Sequence, residues 1–126
     1  LGVEIYGSDE KELFSNAAHA LFDIMTDINA VCMTVERDIY IEGAGLEELL
    51  VNFLREMLYL LSGEGLCLQS CLVAEIDQKH VQGTVRGEFF DSERHSQHME
   101  VKAVTYHRTE VKKSPHGWTA RVIFDV

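Results

Sequence analysis

The chain has no apolar run approaching the roughly 20 residues that a bilayer-crossing helix needs, and no secretory leader is visible. No membrane partner is expected. Basic residues are scarce: 11 Lys and Arg stand against 21 Asp and Glu, for a formal charge of −10 and a pI near 4.9. A tight nucleic-acid binder neutralises phosphates with Lys and Arg, so direct nucleic-acid binding is not expected. A basic protein surface or a cation is a better match for such a charge. Cysteines number three, at 32, 67 and 71. An odd count without a leader suggests reduced thiols and a cytoplasmic setting. No GxSxG elbow, Walker loop or GxGxxG is present, so no catalytic signature emerges and the chain does not read as an enzyme.

The 126 residues suit one domain able to bury a proper core. The first residue is Leu rather than Met, so a short N-terminal segment is expected to be missing. Leu1–Tyr6 alternates like a strand. Gly7 breaks it, and Ser8 stands where a helix N-cap belongs, ahead of Asp9, Glu10 and Glu12. Apolar residues from Leu13 to Met25 recur at spacings of three and four, which predicts a helix over about 9–26. Thr34–Glu42 alternates again, with Arg37 a blemish that suits a strand end. Leu46 to Leu61 carries the strongest helical stripe, over about 46–62. Leu66–Ile76 and Val81–Phe89 flank a turn at Asp77–His80. After the polar loop DSERHSQH come strands at Met99–Lys112 and Trp118–Val126, joined by a turn at Ser114–Gly117. No internal repeat is evident. The order β-α-β-α-β-β-β-β predicts an α+β fold, two helices packed on a largely antiparallel sheet system.

Three constellations invite chemistry. His95, His98 and His107 with Cys67 and Cys71 suggest zinc. Yet cysteines four apart in a strand share a face and sit about 13 Å apart, too far for one ion. Buried thiols and loop histidines fit better. In EVKAVTYH, strand parity places Val101, Ala103, Thr105 and His107 on one face, and Glu100, Lys102, Val104, Tyr106 and Arg108 on the other. The plain reading is a half-solvated strand whose Lys102 pairs with a nearby carboxylate. At the other end, a chain finishing at Val126 sets its α-carboxylate beside the Asp125 carboxylate. Two hard oxygen donors suit Ca²⁺ or Mg²⁺; a frayed, solvated tail is the alternative.

Taken together, Ile5–Asp27, Leu46–Leu66, VRGEFFD (Val85–Asp91), EVKAVTYH (Glu100–His107) and GWTARVIFDV (Gly117–Val126) resemble the archease family over essentially the whole chain. The resemblance implies an α+β fold. It also implies a non-catalytic activator of the GTP-dependent RNA ligase of tRNA splicing, promoting the ligase's guanylylation and multiple turnover. GTP and Mn²⁺ would then belong to the ligase. The family further implies a divalent metal site, usually Ca²⁺. Two of its ligands match Asp125 and Val126. The third lies in a His-Thr-Ala-Asp motif that would end just before Leu1. The resemblance makes Lys102, His107 and Glu100 candidate partner-facing residues; for Asp27, a cap or a ligand role fits equally. The rival expectation is a chaperone-like partner of an RNA-modifying enzyme such as a methyltransferase. A free-standing metal-dependent hydrolase lacks any recognisable base or nucleophile.

Overall fold

Two short β-to-α connections set the architecture, and they are built alike. The computed structural model describes all of residues 1–126. Strand β1 (Gly2–Gly7) turns into helix α1 (Glu10–Met25), and strand β2 (Val35–Glu42) turns into helix α2 (Leu46–Ser62). Asn16 Nδ2 donates to Tyr6 O at 2.7 Å, and Asn52 Nδ2 donates to Glu42 O at 3.0 Å. Glu12 accepts from the Ser8 N–H, and Glu48 from the Ala44 N–H. Gly7 presses on the Leu13 backbone and Gly43 on the Leu49 backbone so closely that a Cβ on either would collide. Every one of these pairs is offset by 36 positions, as Gly7 to Gly43 and Asn16 to Asn52 show.

The chain therefore contains an internal β-α repeat, which the sequence reading missed. The copies share only five letters over this stretch, Ile5/Ile41, Gly7/Gly43, Glu12/Glu48, Leu13/Leu49 and Asn16/Asn52, scattered too sparsely to stand out as a repeat. Leu13, Phe14, Ala17 and Ala18 in one copy answer Leu49, Leu50, Phe53 and Leu54 in the other, all fully buried.

Each repeat is completed by a hairpin. Strands β3 (Leu66–Ile76) and β4 (His80–Phe89) form one; β5 (Ala103–Ser114) and β6 (Gly117–Asp125) form the other. All pairings are antiparallel, in two three-stranded sheets ordered β1-β6-β5 and β2-β4-β3. Exchanging the repeats converts one order into the other. Helix α1 packs on its own strand β1 and on β3 of the other sheet; α2 packs on β2, β3 and β5. The helix pair thus fills the space between the sheets. That explains why nine of the 17 residues of α2 are buried, more than one stripe supplies. The core joins 29 buried residues from both helices and both sheets. This is the α+β arrangement read from the element order.

Several local expectations shift. Helix α1 is capped by Asp9, whose side chain accepts from Glu12 N at 2.8 Å, and not by Ser8. Arg37 lies inside β2 and extends to Glu64, 2.9 Å away, rather than marking a strand end. Strand β5 begins at Ala103, four residues after the expected Met99, because residues 99–102 lie outside the β5–β6 ladder and reach it only through Lys102 N at Asp125 O.

Candidate functional site

The C-terminal end of β6 lies between β1 and β5. On one side the Leu1 amino group donates to Phe124 O at 2.9 Å, and Phe124 N donates to Leu1 O at 2.8 Å. On the other side Asp125 pairs with Ala103, and Lys102 N donates to Asp125 O at 2.7 Å. Ala120, Val122 and Phe124 point into the core, so strand alternation sends the Asp125 side chain to the open face. Asp125 and Val126 are both exposed. The side chains of Glu100, Lys102, His107 and Asp125 make no hydrogen bond or ion pair within the chain. The plain expectation that Lys102 pairs with a nearby carboxylate is therefore not met; its ammonium is free.

Beside this end opens a cleft of about 600 Å³. Its position follows from the repeat. Met25 and Thr26 at the end of α1, and Leu61 and Ser62 at the end of α2, line it together and are themselves 36 apart. The helix C-termini thus converge on one cleft. Its outer wall is the segment 90–102, which crosses from β4 to β5 and brings Glu100 and Lys102 to the lining. That segment is pinned along its length. Phe90 N donates to Gly65 O, Gln97 bridges to Thr26, His98 N donates to Met25 O, and Lys102 N closes on Asp125.

The firmest pin is a buried polar cluster. Glu88 Oε1 accepts from Cys32 N at 2.9 Å and meets His95 Nε2 at 2.7 Å; Glu88 Oε2 accepts from Arg94 at 2.6 Å. Asp91 N donates to His95 Nδ1 at 2.8 Å, so that nitrogen carries no proton and the hydrogen of the neutral ring sits on Nε2, facing Glu88. Arg94 above all, then the Cys32 N–H and His95, hold the Glu88 carboxyl down at about 2. The same contact pushes the Arg94 guanidinium above its ordinary range. The histidine side chain is 1% exposed, so the cluster organises the segment and offers no accessible base. Sequence reasoning took this stretch for a plain polar loop. Strand alternation marks Glu88 as outward-facing, and nothing local says that a loop folds back over it.

The remaining candidates fall as follows. His107 does not join the cleft. Between the pairs Thr105–Ile123 and Glu110–Arg121, β5 advances five residues while β6 advances two. The surplus forms an exposed bulge holding Tyr106, His107 and Arg108, with Arg108 at φ 57°. The expected two-face parity of EVKAVTYH fails before the bulge as well: Val101 precedes β5, and Val101 and Val104, three apart, are both buried. Asp27 caps the 3-10 turn Ile28–Ala30, accepting from Asn29 N at 3.1 Å. Cys67 and Cys71 do not share a face. A bulge between Leu68 and Ser70 inverts the parity, so Cys71 joins the core while Cys67 lies beside Glu88 on the opposite face. Burial pushes both thiols up, Cys71 to about 12, far from the thiolate a metal would need. No three His, Cys, Asp or Glu side chains of the chain converge in the geometry of a metal site. No helix is long and apolar enough to cross a membrane.

Fold and site define a class: a small acidic α+β domain of two β-α-hairpin repeats, with an open cleft where both helices end, an unpaired lysine in its lining and an unpaired aspartate on the adjoining strand end. Known proteins of this class are close at hand. The Archease protein family (MTH1598/TM1083) matches residues 1–126. Protein archease of Pyrococcus furiosus is 40% identical over all of this chain and 92% of its own length. Protein archease of Methanosarcina mazei is 34% identical over 96% of this chain and 86% of its own. The solution structure of Methanobacterium thermoautotrophicum protein 1598 superposes with a TM-score of 0.80 at 35% identity, covering 99% of this chain and 91% of that one. The chain belongs to the archease family.

Proposed function

We propose that this chain is a non-catalytic activator of the GTP-dependent RNA ligase of tRNA splicing. It promotes guanylylation of the ligase and its repeated turnover in the cytoplasm. The observation that carries the reading, beside family membership, is the free Lys102 ammonium at a cleft rim, tied through its backbone to Asp125. An unpaired lysine held next to a carboxylate-bearing strand end is available to a partner's phosphate or acid. The net charge of −10 favours encounter with a basic nucleotide- and RNA-binding surface, and makes that encounter salt-sensitive.

The same end suits a hard divalent cation such as Ca²⁺, held by the Asp125 side chain and the Val126 α-carboxylate where Val126 is terminal. These two donors fit in kind but are too few alone. The register supports where a third would stand: Leu1 lies opposite Phe124, so a residue ahead of Leu1 falls opposite Asp125. In the other repeat the equivalent cross-strand pair is Glu36 and Arg86, joined at 2.9 Å. Where one half sets an arginine against an acid, this half offers Asp125, and a cation would replace the guanidinium charge. A bound cation would there supply positive charge for positioning phosphate oxygens. Asp125 orients that charge at the strand end, and Lys102 adds its own. Such placement of charged groups supplies several kcal/mol of barrier lowering, in order of magnitude.

The test is ligase guanylylation with GTP and Mn²⁺, comparing wild type, Lys102→Ala and Asp125→Asn. Stimulation by wild type that is lost in both variants is expected. A wild-type chain, with or without an added His-Thr-Ala-Asp segment ahead of Leu1, that leaves guanylylation unchanged while improving the solubility of a client enzyme would refute the activator role, in favour of a chaperone-like partner.

A further inference from the structure

We infer that the β5 edge of the β1-β6-β5 sheet holds a short single-stranded stretch of RNA by its phosphates, with a base stacked on the β5 bulge. The identity of the strand as RNA rests on the activator reading; its backbone chemistry stands on the edge itself. The formal charge of −10 spoke against nucleic acid, but it averages over an uneven distribution. Residues 101–126 carry five Lys and Arg against two Asp and Glu, whereas residues 1–100 carry six against 19. Two carboxylates of this sheet, Glu110 and Glu4, are already bridged to Lys112 and Arg121. At physiological salt, exposed charges more than about 8 Å apart are largely screened, so a bound strand meets the local excess of cations and not the distant acids.

Three exposed cations are left along β5 without an ion pair. Arg55 comes from α2, its Nε donating to Val104 O at 3.1 Å; Arg108 stands in the bulge, and Lys113 lies near the end of the strand. Val104 pairs with Phe124 and Lys113 with Trp118, so the attachment points of the three spread over about 20 Å of strand. That length suits about four nucleotides, the short end of the range for sites that combine charge with stacking. The bulge supplies the stacking surface. Tyr106 is 54% exposed there, and Thr109 Oγ1 donates to Thr105 O at 3.3 Å, closing the bulge on itself. Arg108 is the one non-glycine residue with a left-handed backbone, at φ 57°. A cation kept in a conformation that disfavours any side chain marks a position held for function. An acidic protein surface would engage the cations and leave the tyrosine unused; a strand with unpaired bases uses both.

The test is fluorescence anisotropy of labelled decauridylate titrated with the full chain. Log affinity should fall linearly with log salt, with a slope of roughly −2, because each of three neutralised phosphates contributes about −0.7. With all variants folded by thermal melting, Arg108→Gly and Lys113→Gln should each weaken binding about threefold or more and reduce the slope by about 0.7. Tyr106→Ala should weaken binding about as much with the slope unchanged, since stacking on an aromatic ring neutralises no phosphate. Absence of binding at about 50 mM salt, or wild-type affinity in all three variants, would overturn the proposal. Polyglutamate that competes as well as unlabelled decauridylate, with Tyr106→Ala indifferent, would overturn it in favour of an acidic protein partner. If the wild-type chain fails to stimulate ligase guanylylation, the activator reading falls, and the oligonucleotide titration still decides the edge.

Discussion

Replacing His95 with alanine tests how the wall of the cleft is held. The imidazole accepts from Asp91 N at 2.8 Å and meets Glu88 at 2.7 Å, with its side chain almost wholly buried. Alanine leaves the Asp91 N–H without its acceptor and removes one donor from a carboxylate that is itself enclosed. A buried unsatisfied group costs about 1–3 kcal/mol, and the lost bond to a charged group adds to it, so the total is roughly 2–4 kcal/mol. In a domain of this length each kcal/mol lowers Tm by about 3–5 °C. The drop should therefore be roughly 6–20 °C, read by circular dichroism and confirmed by urea unfolding. The loss should be concentrated in residues 90–102, whose amides, His98 and Lys102 among them, would exchange faster in native-state hydrogen exchange than those of α2. A destabilisation below about 1 kcal/mol would refute the argument, because it would mean that water or a neighbour satisfies these groups as well as the histidine does.

Acid should undo the same cluster: the Glu88 carboxyl is depressed to about 2 in the folded state, so its contribution is complete above the ordinary carboxylate value of 4.5 and is lost as pH falls from there toward 2. Glu88→Gln should flatten the stability profile across that window; an unchanged slope would count against the linkage. Gly43→Ala should cost roughly 2–3 kcal/mol, since its Cβ would lie 2.9 Å from the Leu49 backbone, whereas Gly2→Ala, with open space around it, should be close to neutral; thermal melts of the two decide. Arg108→Gly should stabilise by roughly 0.5–1 kcal/mol through relief of the left-handed backbone at φ 57°. A loss of stability on that change would show the guanidinium to be engaged. Lys102→Ala should leave Tm unchanged, because the side chain is exposed and unpaired, and any cost above about 0.5 kcal/mol would contradict its freedom.

The helices and most strands were legible because their signals are local. Leu46–Ser62 is recovered to the residue, since an apolar stripe with flanking glycines needs no tertiary knowledge. Strand parity, in contrast, misled wherever a bulge intervened. At Leu68–Ser70 one surplus residue separates Cys67 from Cys71, and at Tyr106–Thr109 a surplus of three detaches His107 from the face it was assigned. A bulge is decided by the partner strand's register, which no single strand encodes. The Glu88 cluster was hidden for a related reason: Arg94 and His95 reach back across six and seven residues to a strand they do not extend.

Composition and periodicity alone determined an acidic α+β domain of two helices and six strands, because net charge and hydrophobic spacing are properties of the chain before it folds. The resemblance singled out Lys102, Asp125 and Val126 because they sit in short contiguous motifs. Only the tertiary structure decided that the chain is two copies of one β-α-hairpin unit, that the two helices end at one cleft, and that Lys102 reaches its rim unpaired. Those facts depend on which strands pair and what crosses over them. Such pairings join residues as distant as Leu1 and Phe124, and their energy appears only when the loop between them has closed.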